Sequence, residues 1–112
     1  MSIKTQTVDA VVGDKLYNIP FLLVDYGGDA VDLTDYSTVK LKVAENVTAT
    51  SLMIDGTCSV TSAEGGAVAY TVQSGDFSTV GTFPAEVEVT WSSGKIVTFR
   101  NLNIKVHNDL GT

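Results

Sequence analysis

Apolar and polar residues alternate with a period of two along several stretches of this chain. Val39, Leu41 and Val43 are separated by Lys40 and Lys42, and Val68, Tyr70 and Val72 by Ala69 and Thr71. The longest row, Phe83, Ala85, Val87, Val89 and Trp91, is interleaved with Pro84, Glu86, Glu88 and Thr90. Successive side chains of a β-strand point to opposite faces, so each row predicts a strand with one face in a core and the other toward water. Strands are expected at roughly 3–12, 15–25, 37–45, 50–54 with 57–61, 67–73, 83–91 and 95–106. Val39, Leu41, Val68, Tyr70, Val87, Val89, Leu102 and Ile104 are the expected centre of the interior.

The last strand changes face partway. Leu102, Ile104 and Val106 alternate with Asn101, Asn103 and Lys105, while Val97 and Phe99 hold the opposite parity. A one-residue slip turns every side chain to the other face, so a bulge or a crossing between sheets is expected near Arg100-Asn101. Ser92-Ser93-Gly94 supplies the turn ahead of this strand. Pro20 and Pro84 cannot donate to a ladder and therefore mark an edge or an irregularity. Residues 74–80, with Ser74 as a cap and Phe77 turned inward, predict one helical turn.

Turn residues cut the chain about every ten residues, as at Gly27-Gly28-Asp29, Asp55-Gly56, Glu64-Gly65-Gly66 and Ser74-Gly75-Asp76, the pattern of a sandwich or barrel. Val, Ile and Thr make up 35 of the 112 residues, and β-branched side chains suit a pleated surface better than a helix. The expected fold is an all-β, antiparallel β-sandwich of about seven strands. It forms a single domain over residues 1–112, since this length fills one core and is too short for two.

Thirteen acidic and seven basic side chains leave a net charge of −6, which repels a phosphate backbone and argues against nucleic acid. No stretch approaches the roughly 18 apolar residues of a membrane span, and residues 1–6 carry no apolar signal segment, so no membrane partner and synthesis in a cytoplasm are expected. Cys58 stands alone, so no disulfide joins the sheets. With no His, Lys or Arg near it in sequence, it reads as a small buried hydrophobe. Asn46-Val47-Thr48 matches a glycosylation acceptor by chance, given the absence of a signal.

Catalytic chemistry finds little to work with. His107 is the single histidine; it reads as an exposed residue at a strand end, without a catalytic partner. Glu86 and Glu88 lie on one strand face roughly 7 Å apart, but that face is the solvent one, where a glycosidase pair would need a cleft. Asp25, Asp29, Asp32 and Asp35 gather oxygen donors in one loop and are the one metal candidate, for calcium, although Asp equally closes turns. Tyr26, Tyr36 and Trp91 are candidates for a sugar- or protein-binding surface, with Trp91 also fitting the core. No phosphate loop, nucleophile elbow or cysteine pair is present, so no enzyme activity and no cofactor are expected.

Gly13-Asp14 ahead of an apolar strand, Val31-Asp32-Leu33-Thr34 before the next, Gly81-Thr82-Phe83-Pro84-Ala85-Glu86-Val87 and the final Ile104-Lys105-Val106 form a set. Together, from about Val12 to Val106, they resemble the immunoglobulin-like N-terminal domain of phage baseplate upper proteins. The resemblance implies an immunoglobulin-like sandwich and a non-enzymatic role in the virion, where the domain anchors to the tail or baseplate core and presents the receptor-binding apparatus. Members usually continue into a long stalk or fibre-connecting region, whereas this chain stops at Thr112, so the resemblance is expected to hold for the fold and the virion context more than for that job, and an immunoglobulin-like building block of the tail or baseplate is expected. Its partners would be other phage structural proteins and copies of itself in the virion. Two other readings stay open, a capsid decoration protein and a carbohydrate-binding or adhesin module. Ile3 to Val8, which alternates only weakly, and His107 to Thr112, which has no core-facing pattern, are expected as arms that reach to a neighbouring subunit, and the loops at 26–36 and 74–82 are further expected contact regions.

Overall fold

The computed structural model describes residues 1–4 and 6–110. Among them lie nine strands and no helix. One layer contains β1 (Ser2–Ile3), β3 (Asn18–Val24), β7 (Ala67–Thr71) and β6 (Ser59–Ser62), paired in that order. The other runs β2 (Thr7–Val11), β9 (Ile96–His107), β8 (Gly81–Trp91), β4 (Tyr36–Val43) and β5 (Ile54–Thr57). The layers share one apolar core and are stitched along one side by β1, which pairs with both β3 and β9. This is the immunoglobulin-like sandwich, with its first strand divided between the two sheets.

The alternating rows enter the core as their period requires. All eight residues expected at its centre are at most 3 % exposed. Among the described residues every buried side chain is apolar, and no buried side-chain nitrogen or oxygen lacks a hydrogen-bond partner.

The change of face in β9 is a bulge. Ala85 pairs with Leu102 and Val87 with Phe99, so β9 spends one more residue than β8 at Arg100 and Asn101. Asn101 takes a φ of 70°, a left-handed conformation that asparagine tolerates better than most side chains. The extra residue lets Phe99 and Leu102 both point inward, each fully buried. Pro20 and Pro84 both sit where a neighbouring strand has run out. Lys4 N–H donating to Leu22 O is the last bond from the β1 segment to β3, and Ala44 N–H donating to Pro84 O is the last from β4 to β8.

Four expectations are corrected. The sheet is not purely antiparallel, because β1 and β2 both run parallel to β9. The strand expected over 3–12 is two strands in opposite layers, with Ile3 buried, so this segment is part of the sandwich and not a free arm. The pair expected at 50–54 and 57–61 likewise separates into β5 and β6 in different layers, with Cys58 at the crossing. Together these splits raise the strand number above the expected seven. Residues 74–80 form turns in place of a helical turn, held by the Asp76 carboxylate, which accepts the Gln73 N–H at 2.8 Å, although Phe77 is buried as expected.

Without a disulfide, the layers meet through packing. Tyr70 of β7 packs against Gly56 of β5, where a Cβ would come well inside van der Waals distance of a ring carbon. Its hydroxyl donates to the Asp76 carboxylate, tying the following loop to the core. Burial, followed by that carboxylate, pushes the Tyr70 pKa well above the usual tyrosine value. Burial pushes the Cys58 thiol up to about 12.

Two outcomes follow from this packing. Gly56→Ala should destabilise the domain by roughly 1–3 kcal/mol through overpacking, measured by denaturant unfolding, and the cost should vanish in a Tyr70→Ala background, where the ring is gone. The Cys58 thiol titrates near 9 when unfolded and about 12 when folded, so its contribution is complete below about pH 9 and falls as pH rises toward 12. The expected slope is about 1.4 kcal/mol per pH unit. A Cys58→Ala variant should show a shallower alkaline loss in the same unfolding measurement.

Candidate functional site

Two of the four carboxylates of the aspartate loop, those of Asp25 and Asp32, close its own turns. Asp25 Oδ1 accepts the N–H groups of Gly27 at 2.9 Å and Asp29 at 3.0 Å. Asp32 Oδ1 accepts both the hydroxyl and the N–H of Thr34, which holds the Asp32 carboxyl below its ordinary value. Asp35 takes a φ of 64°, and its carbonyl accepts the N–H and hydroxyl of Ser92 in the neighbouring hairpin. Among the described residues no group of three or more His, Cys, Asp or Glu side chains is arranged to hold a metal ion. Asn46 acts like the aspartates, its side-chain oxygen accepting from the N–H and hydroxyl of Thr48.

The acidic pair Glu86 and Glu88 belongs to a ladder of charges across the outer face of the larger sheet. Lys42 bonds Glu88 at 3.1 Å and Lys40 reaches Asp55 at 3.4 Å. His107 stands at the end of β9 as expected, with its side chain partly exposed, and its Nε2 lies 2.9 Å from Asp9 Oδ1 in the middle of β2. Tyr26 and Tyr36 are exposed, whereas Trp91 is core, with Lys95 Nζ 4.7 Å from its ring centroid. The loop at 26–36 is anchored by buried Val31 and Leu33, and that at 74–82 by Phe77. Leu110 is exposed near the C-terminus, while Gly111 and Thr112, part of the expected C-terminal arm, lie outside the described residues.

Two surfaces lie mostly outside the contact regions expected from the sequence. The first is the edge strand β2. Val12 N–H donates to His107 O, and Asn103 N–H to Gln6 O, so even-numbered residues of this segment aim their backbone groups at β9. Thr7, Asp9 and Val11 therefore aim theirs away from the sheet; the Val11 carbonyl is taken by the Asp14 N–H at 3.1 Å, while among the described residues no strand pairs with the remaining groups. The other outer strands are better guarded. The β6 edge is four residues long with a register shift, and β5 is four residues and leaves its layer at Cys58. In contrast β2 holds one register over five residues and contains neither Pro nor Lys.

The second surface is an open groove of about 360 Å³ on the outer face of the larger sheet, between the β9 bulge and the loop at 44–53. Arg100, Asn101 and Asn103 line one part of it, and Val47, Leu52 and Pro84 another. Arg100 is the chain's single arginine, which is the one sequence feature that singles out the place.

Among solved structures, CopC from Methylosinus trichosporium OB3b is 11 % identical, with a TM-score of 0.53 over 96 % of this chain and 90 % of that one, a likeness of fold alone. Murine CRIg is 12 % identical, with a TM-score of 0.42 over 96 % of this chain and 97 % of that one. No curated protein matches the chain by sequence. The model of the BppU N-terminal domain, the N-terminal domain of phage baseplate upper proteins, matches residues 2–112, and the chain belongs to that family of phage baseplate structural domains.

Proposed function

We propose that this domain is a non-enzymatic building block of the phage tail or baseplate that docks onto another virion protein by adding a partner strand to β2. The observation that carries the reading is the open edge formed by the backbone groups of Thr7 and Asp9 and the N–H of Val11. Unpaired backbone groups in a regular register are a template for a further strand, and such pairing supplies affinity independent of side-chain sequence. Half-buried Val8 and buried Ala10 face the core from the same strand, so an added strand with apolar residues at matching positions would extend the interior as well as the ladder.

Charge favours a different protein over a second copy as the direct partner. Each copy carries −6, and full-length antiparallel pairing of two β2 strands would set Asp9 opposite Asp9. Copies in the virion are then held by a common partner. The reading involves no catalysis: the histidine is engaged by Asp9, and Glu88 by Lys42. A sugar-binding face is less well supported, since Tyr70 and Trp91 are buried.

Thr7→Pro tests the edge. The Thr7 N–H points away from β9, so proline removes a donor to the partner while leaving the internal ladder intact. The variant should unfold within a few degrees of the parent yet lose co-migration with co-expressed proteins of the same baseplate on size-exclusion chromatography. A folded variant that still co-migrates fully would count against docking at β2.

A further inference from the structure

We propose that the groove beside the β9 bulge binds an acidic peptide segment, with a carboxylate on the Arg100 guanidinium and an apolar side chain against Val47 and Leu52. The groove's chemistry stands on its own; that the segment belongs to a neighbouring virion protein rests on the assembly reading above.

Several features converge there. On this face Lys40 and Lys42 each have a carboxylate partner, but among the described residues no ion pair engages Arg100. Glu86 also lines the groove and lies across from the bulge on β8, yet no ion pair joins it to Arg100. The bulge itself sets Arg100 and Asn101 outward in succession, both exposed, and re-aiming a side chain toward a binding site is a common use of such irregularities. Guanidinium presents a planar fork that matches a carboxylate with two parallel bonds.

The other wall supplies the apolar half. Val47 is 84 % exposed and Leu52 44 %, both in a loop otherwise folded back by the Asn46 turn. A free phosphate would satisfy Arg100 but leave those side chains in water, and its second charge would face Glu86. A glutamate or aspartate flanked by an apolar residue satisfies both walls with one negative charge.

The test is an NMR titration of the 15N-labelled domain with acetyl-Leu-Glu-Leu-amide, its Gln and Lys counterparts, and inorganic phosphate. The Glu peptide should shift the Arg100 Nε–H and the amides of Val47, Leu52, Asn101 and Asn103, binding roughly tenfold or more tightly than the Gln peptide, as expected for a charge-assisted contact. Arg100→Gln should abolish that preference with the remaining spectrum unchanged. Glu86→Gln should tighten binding severalfold, because it removes a negative charge from the groove lining that the peptide carboxylate enters. Equal shifts with the Gln peptide or with phosphate, shifts centred elsewhere, or full binding by Arg100→Gln would overturn the proposal. Loss of baseplate docking in Thr7→Pro leaves these titrations unaffected, so the two readings fail separately.

Discussion

The extra residue in β9 is the constraint on which the rest of the arrangement depends. A strand of twelve residues cannot keep one side chain parity and still bury Phe99, Leu102, Ile104 and Val106 together, because Phe99 and Leu102 are an odd number apart. The bulge resolves the conflict inside the strand. It also divides the partners of β9: Ser2 of β1 pairs at Arg100, and β2 pairs from Asn103 to His107. The N-terminal segment thus touches β9 on either side of the irregularity and changes layers between the two contacts. The same irregularity puts Arg100 and Asn101 on the outer face, where they line the groove. One local backbone feature therefore shapes the core, the path of the first strand and a surface.

No disulfide joins the two layers, and the contact between Tyr70 and Gly56 bears part of that burden. The tyrosine crosses from one sheet to the other, and the missing side chain at Gly56 makes room for its ring. Its hydroxyl needs a partner because it is buried, and Asp76 supplies one from the loop beyond β7. Cys58 is enclosed at the point where the chain passes between layers. A thiol in that position contributes packing, and its raised pKa keeps it protonated where thiol chemistry would need the anion.

Much of this was legible in the sequence because burial imposes a period. Alternating rows named the core, and a broken row named the bulge at Arg100-Asn101. Where burial imposes no period, the reading was coarser. Nothing in the residues at 3–12 says that their two halves pair in different layers, since both halves alternate weakly and the crossing depends on where β9 bulges. The Ser74 segment has helix-start chemistry, but the Asp76 carboxylate is held by Tyr70 and Gln73, and this tertiary contact overrides local preference. The aspartates of the loop at 25–35 offered two chemistries from the same residues, and only the hydrogen bonds reveal that Asp25 and Asp32 close turns. The β2 edge is a property of pairing, so no single side chain announces it.

Membership in the baseplate family and the open edge of β2 meet in the docking proposed above, in which a partner strand pairs with the free backbone of β2. The most direct measurement is amide hydrogen exchange across residues 7–11 in the free domain and in the assembled baseplate. Thr7, Asp9 and Val11 should exchange rapidly when free and become protected on assembly, while Val8 and Ala10, already bonded to β9, stay slow in both. Rapid exchange of Thr7, Asp9 and Val11 in the intact baseplate would contradict the account.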